Sequence, residues 1–181
     1  MLVALRSPVR LNSAPRRDFL APFPFLKKRF TPRTVFMEIG GAPNGEMSSL
    51  ALRAAGYVER VYMVDVSGRF LHNVLVPCNV RLVLCDGVRI PVPEASVHVA
   101  WGGAFMDDLQ PDGAREHLES VRRSLVPGGE YICVSTQSGR ARRRLLEAGF
   151  SAVSYWLGPA RIPWAAQALV PKQLVRVSAT K

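Results

Sequence analysis

Residues 34–65 read T-V-F-M-E-I-G-G-A-P-N-G-E-M-S-S-L-A-L-R-A-A-G-Y-V-E-R-V-Y-M-V-D, and this stretch decides the fold. An apolar strand runs into a glycine-bearing turn. An alanine-rich helix follows, and then a second apolar strand that ends in an acid. A buried strand stopping in a Gly turn lets backbone N–H groups and a helix N-terminus approach a ligand closely. An acid closing the next strand is placed to accept hydrogen bonds from a ribose diol. The unit therefore reads as a site for a nucleoside cofactor.

The same alternation continues outward. Strands are expected at about 34–39, 60–65, 80–85, 97–101, 130–135, 151–157 and 173–179. Helices are expected at about 45–56, 67–75, 111–125 and 139–148. Pro111 opens the third of these, and Pro127-Gly128-Gly129 follows it as a turn. Near-continuous apolar runs such as Val80-Arg81-Leu82-Val83-Leu84-Cys85 suit strands covered on both faces. The fold class is α/β, a Rossmann-like and mostly parallel sheet with helices on both faces.

Residues 1–30 hold Pro8, Pro15, Pro22 and Pro24 among basic residues and read as an N-terminal arm or irregular lead-in. Residues 31–181 are one domain, long enough for a real core. The chain carries a net charge of +10, unevenly placed. Residues 1–33 hold eight Lys/Arg against Asp18, and residues 139–181 hold eight against Glu147. The segment between holds eight against twelve acids. Basic flanks of this kind attract nucleic acid, anionic head groups or an acidic partner, or they form a solvated surface. The Arg-rich stretch Arg140, Arg142, Arg143, Arg144 is the candidate contact. No apolar run reaches the ~18 residues that span a bilayer, and the N-terminal apolar run is too short for a secretory signal. A cytoplasmic location is the expectation. Cys78, Cys85 and Cys133 make no metal-binding spacing, and metal ligands are not expected. His72, His98 and His117 have no partner cluster and read as surface or core residues.

Four pieces in order resemble the class I S-adenosylmethionine-dependent methyltransferases, in their small type 11 form. They are Glu38-Ile39-Gly40 with Asp65; Leu84-Cys85-Asp86-Gly87 followed by Ile90-Pro91-Val92-Pro93-Glu94-Ala95-Ser96-Val97; Met106-Asp107-Asp108-Leu109-Gln110-Pro111-Asp112; and Leu125-Val126-Pro127-Gly128-Gly129. The match covers about residues 33–157. It implies seven strands in the order 3-2-1-4-5-7-6, with strand seven antiparallel.

The resemblance also implies S-adenosyl-L-methionine as cofactor, held by Glu38, Gly40, Gly41, Asp65, Val66, Cys85, Asp86, Gly87 and Trp101. Asp65 takes the ribose hydroxyls, and Asp86 takes the adenine amino group with Cys85 and Gly87 beside the ring. Trp101 lies under the methionine part. The implied activity is methyl transfer to oxygen or nitrogen of a small or glycan-like acceptor, with Asp107 and Asp108 as catalytic candidates.

Three departures stand out. The family's turn reads E-x-G-x-G-x-G, and this chain has Ala42 and Asn44 at the later positions. The family's E-H-L-H has Asp108 and Gln110 in place of its histidines. After Ser135-Thr136-Gln137 the chain enters the Arg-rich helix almost at once, where relatives place a longer segment over the acceptor. The short segment implies an open acceptor site, a large acceptor, a partner that completes the site, or lost activity. The alternative function is therefore a non-catalytic module of the same fold, binding a partner or nucleic acid through the arginines. An NAD-dependent enzyme is disfavoured, because no G-x-G-x-x-G opens the first helix.

Overall fold

A computed structural model of the chain describes residues 22–41, 49–67, 76–103, 105–157, 160–162 and 175–181. Chain order is α1 (Pro22–Lys27), β1 (Val35–Ile39), α2 (Ser49–Ala55), β2 (Arg60–Asp65), β3 (Val80–Leu84), β4 (Val97–Trp101), α3 (Phe105–Asp108), α4 (Pro111–Ser124), β5 (Leu125–Ser135), α5 (Ser138–Glu147), β6 (Ser151–Leu157), β7 (Ala160–Ile162) and β8 (Val175–Thr180). The strands form one sheet in the order β3-β2-β1-β4-β5-β8-β6-β7. Strands β1 to β5 pair with one another in parallel. Strand β8 runs antiparallel to both β5 and β6. The expected order holds through seven strands, with β8 in the seventh role. The short β7 extends the edge by a hairpin with β6 that the sequence reading did not anticipate.

Side chains alternate across the sheet, and each face carries its own core. On one face Val35, Met37, Ile39, Tyr62, Val64 and Ala100 pack with Met106 of α3, Leu118 and Val121 of α4, and Ala141 and Leu145 of α5. On the other, Phe36, Val61, Met63, Val99 and Ile132 pack with Phe23, Phe25 and Leu26 of α1 and Leu50, Ala51 and Ala54 of α2. All five residues of β1 are buried, which is why that strand carries no polar–apolar alternation. Helix α4 presents Ala114, His117, Leu118 and Val121, the i, i+3, i+4, i+7 stripe of a helix with one buried side.

Two stretches differ from the sequence expectation. Residues 22–30, expected in the irregular arm, form α1 and the turn after it, with Phe23, Phe25 and Leu26 buried against the sheet. Burying each such side chain contributes about 1.5–3 kcal/mol, enough to hold a short helix that would not persist alone. Arg29 anchors the stretch further: it pairs with Glu130 of β5 and lies over the Phe25 ring at 3.9 Å. The second difference is the start of β5. Leu125 already pairs with Val97, and the next registered pair is Glu130 with Val99. Residues 126–129 therefore bulge out of a continuing strand. Gly128, at φ 77°, makes the turn expected there. The expected helix at 67–75, the turn residues 42–48 and the stretch before β8 lie outside the described residues.

Candidate functional site

The chemistry-bearing residues gather at the carboxyl ends of β1, β2, β3 and β4, the rim where ligands of open α/β sheets bind. The parallel ladder continues one residue beyond the strands. Gly40 N–H donates to the Val64 carbonyl at 2.8 Å, and Cys85 N–H donates to the Asp65 carbonyl at 3.0 Å. Gly40, Asp65 and Cys85 are thereby held side by side along one edge.

At the β1 tip, Gly40 adopts φ 74°, a left-handed conformation that glycine enters without strain, and a Cβ there would meet open space. The next residue is crowded instead: a Cβ on Gly41 would stand 2.8 Å from Glu38 Cδ. Glu38 is buried and lies in register between Met63 of β2 and Trp101 of β4, so its carboxyl group folds beneath the turn. Trp101 is buried among the α1 and α2 side of the core.

Asp65 closes β2 at 7% exposure, on the same face as Val61 and Met63. Its Oδ1 accepts from Ser67 N–H at 2.8 Å, which turns the chain away from the strand. Val66 beside it is 67% exposed, an apolar side chain presented to solvent at the rim. After β3, Asp86 is exposed and Oδ1 accepts from the backbone N–H groups of Val88 (2.8 Å) and Arg89 (3.2 Å), fixing a tight loop. Cys85 is half-buried, and its Sγ accepts from Gly87 N–H at 3.4 Å. Burial pushes the Cys85 thiol up, which favours its neutral form. Gly87 is buried at φ 76°, and a Cβ there would lie 2.7 Å from Phe105 Cζ.

The two aspartates on α3 separate. Asp107 is committed to the end of β5. Its Oδ1 accepts from Ser135 Oγ at 2.7 Å, and its Oδ2 accepts from Thr136 N–H at 2.9 Å and Thr136 Oγ1 at 3.1 Å. Asp108 is exposed. The arginines of α5 also diverge. Arg144 donates to the carbonyls of Met106 (3.0 Å) and Leu109 (3.4 Å), capping the end of α3. Arg140 donates to Gln137 Oε1 at 3.1 Å, and Arg143 is exposed.

Two of the three histidines lie in described residues. His98, exposed on β4, accepts from Val35 N–H at 3.0 Å and stands at the opposite end of the sheet from the rim. His117 is fully buried on α4, with Nδ1 2.6 Å from the Gly87 carbonyl and Nε2 3.0 Å from the Tyr131 hydroxyl. Burial lowers its pKa to about 4, so the ring is neutral. Reasoning from sequence foresaw a core role at most. The available signal was a polar residue within the buried stripe of a helix, directly below the loop of Asp86 and Gly87. Among the described residues no group of three metal-ligating side chains occurs, and no helix is long and apolar enough to cross a membrane.

No protein-family model matches the sequence, and no curated protein matches it by sequence. Solved structures match it in fold. A Mesorhizobium loti S-adenosylmethionine-dependent methyltransferase is similar at TM-score 0.64 and 12% identity, over 87% of this chain and 96% of that one. A methyltransferase-like Haloferax volcanii protein in complex with the Trm112 methyltransferase activator is similar at TM-score 0.64 and 15% identity, over 90% and 89%. Haemonchus contortus phosphoethanolamine N-methyltransferase 2, in complex with S-adenosyl-L-methionine, is similar at TM-score 0.65 and 14% identity, over 87% of this chain and 51% of that one. With the seven-strand order, the antiparallel β8 and the acid-tipped β2 already in place, the chain has the fold of the class I S-adenosylmethionine-dependent methyltransferases.

Proposed function

We propose that this protein is an S-adenosylmethionine-dependent methyltransferase acting on oxygen or nitrogen of a small or glycan-like acceptor, in the manner of the small type 11 enzymes. One observation carries the reading: Gly40-Gly41, Asp65 and Asp86-Gly87 stand on successive tips of three adjacent parallel strands. The residues suit an adenosine group. Gly40 leaves open space above the turn, and the room at Gly41 is taken by the Glu38 carboxyl group rather than by a Cβ. Asp65 holds the ribose hydroxyls, and Val66 covers one face of the base. Asp86, Cys85 and Gly87 form the adenine edge, while Glu38 and Trp101 back the turn and the methionine part.

The bound cofactor would supply a methyl group on a positively charged sulfur, which an aligned acceptor displaces in line. The chain's own task is alignment and exclusion of water, which supply much of the rate for such a transfer. Asp108, exposed at the end of α3, is the candidate to take a proton from the acceptor. Asp107 orders the β5 terminus on which the acceptor side is built.

That side is open. Only Thr136 and Gln137 separate β5 from α5, which favours the larger, glycan-like acceptor over a small one, or a partner that completes the site. A Trm112-bound neighbour shows the same fold carrying a partner protein. A second reading, a non-catalytic module binding an acidic partner or nucleic acid through Arg140, Arg142, Arg143 and Arg144, draws on this openness and on the basic flanks. It is weakened by Arg144, whose guanidinium is spent on two carbonyls. Calorimetry with S-adenosylhomocysteine separates the two. Saturable binding by the full chain, abolished by Asp65→Ala with the fold intact, supports the enzyme reading. Absence of binding together with salt-sensitive RNA binding refutes it.

A further inference from the structure

We propose that His117 is a positioning residue of the cofactor pocket, tying the Gly87 carbonyl in the adenine loop to the Tyr131 hydroxyl beneath the end of β4. The inference rests on the cofactor reading above and adds to it a residue behind the pocket wall.

Helix α4 lies against the sheet along one side. The buried stripe of α4 needs only apolar groups to pack on the sheet, yet besides Ser124, whose hydroxyl bonds back to the Ser120 carbonyl of its own helix, two polar residues stand on it, His117 and Ser120. Both reach the backbone of the same loop. His117 Nδ1 lies 2.6 Å from the Gly87 carbonyl, and Ser120 Oγ accepts from Ile90 N–H at 2.9 Å. Residues 86–90 follow the last ladder bond of β3, from Cys85 N–H to the Asp65 carbonyl, and have no sheet partner among the described residues, so α4 grips this loop at two points three residues apart. The grip is directional. A carbonyl oxygen only accepts, so Nδ1 carries the ring proton, and Nε2 is left to accept from the Tyr131 hydroxyl at 3.0 Å.

The other end of the tie reaches the methionine side of the rim. A Cβ on Gly102, the residue after β4, would collide with the Tyr131 hydroxyl, so that hydroxyl lies directly under the backbone at the β4 end. Phe105 completes the arrangement. It meets the His117 ring edge-on with centroids 5.2 Å apart, and it fills the space that a Cβ on Gly87 would need. One neutral imidazole thus sets the height of the adenine loop relative to the floor at Gly102. Removing it releases the loop while the sheet tips carrying Gly40 and Asp65 stay in place.

The test compares binding of S-adenosylhomocysteine and S-inosylhomocysteine, which differ only in the base, by calorimetry on the full chain. The proteins are the wild type, His117→Leu, His117→Gln, Tyr131→Phe and a core control, Val97→Ala, at the far end of β4. The expected result is a tenfold or greater loss of S-adenosylhomocysteine affinity in His117→Leu, with the preference for adenine over hypoxanthine falling by a similar factor. Tyr131→Phe shows a smaller loss in the same direction. His117→Gln, which can donate to Gly87 and accept from Tyr131, recovers most of the preference. Val97→Ala lowers stability and leaves the preference unchanged, which separates positioning from general destabilisation. If His117→Leu does not fold, Tyr131→Phe and His117→Gln decide by the same ratio. Wild-type binding with unaltered preference in the His117 and Tyr131 variants overturns the positioning role and leaves the cofactor reading standing. A wild type that binds neither nucleoside overturns both.

Discussion

His117 makes the stability of this protein depend on pH in a defined window. The unfolded chain holds an ordinary imidazole near 6.5, whereas burial lowers the folded value to about 4, opposed only in part by the bond to Gly87. Between these values the unfolded state binds a proton that the folded state refuses. Stability is therefore fully present above pH 6.5 and is lost as pH falls toward 4. At about 1.4 kcal/mol per pH unit, that interval is worth about 3 kcal/mol, a large part of a typical domain's 5–15 kcal/mol. Carboxylates titrate in the same range, so the measurement must be a difference. Urea unfolding of the wild type and of His117→Gln at pH 7, 6, 5 and 4.5 isolates the imidazole, because the variant lacks the group and keeps its hydrogen bonds. The wild type should lose about 2 kcal/mol more than the variant by pH 5. Parallel curves would refute the claim that His117 is buried as the neutral base.

Further outcomes follow from the same geometry. Gly41→Ala places a methyl group 2.8 Å from Glu38 Cδ; this overpacking should cost about 1–3 kcal/mol in urea unfolding and weaken S-adenosylhomocysteine binding at least tenfold. Asp107→Asn removes an acceptor from the set formed with Ser135 and Thr136. Its expected cost is about 1–3 kcal/mol, against less than about 0.5 kcal/mol for exposed Asp108→Asn, which should instead lower the methyl-transfer rate without altering cofactor affinity. Phe25→Ala deletes a ring packed edge-on against Trp156 at 5.1 Å and covered by Arg29. It should cost about 3–5 kcal/mol in thermal or urea unfolding. A negligible effect would mean that residues 22–30 hang free of the core.

The central elements were legible because their signals are local. Val97–Trp101 and Arg60–Asp65 stand at the expected residues, since a short apolar run between turn signals leaves a buried strand little freedom of register. Helix α1 was missed because Pro22 and Pro24 read as breakers. Both fall in the first turn, where backbone N–H groups have no intrahelical partner and a missing donor costs nothing. The early start of β5 was hidden by Pro127-Gly128-Gly129, a true turn signal that here serves a bulge within a strand. The placement of Gly40, Asp65 and Asp86 at neighbouring strand ends was legible from type and spacing. The role of Asp107 was not. Its partners, Ser135 and Thr136, lie 28 and 29 residues away, and only the folded sheet brings them together.

Asp108 and Gln110, two of the departures from the methyltransferase pattern, are exposed, where the fold does not need the lost side chains. Stability resides in the two apolar cores and in ties away from the carboxyl ends of β1, β2 and β3, such as Arg29 with Glu130 and Lys181 Nζ with the Leu125 carbonyl. The rim carries the exposed positions, among them Gly40, Val66, Asp86 and Asp108. A substitution there changes ligand contacts and leaves most of the buried area untouched, so chemistry can drift while the sheet is retained. His117 breaks this separation. It is as buried as any core residue, yet its partners are the Gly87 carbonyl and the hydroxyl beneath Gly102. Through it, packing of α4 on the sheet and the shape of the proposed pocket become one problem. A loss of packing beside the His117 ring, at Phe105, should therefore blunt selection of the base before it unfolds the chain, whereas one at the far end of β4, at Val97, should not.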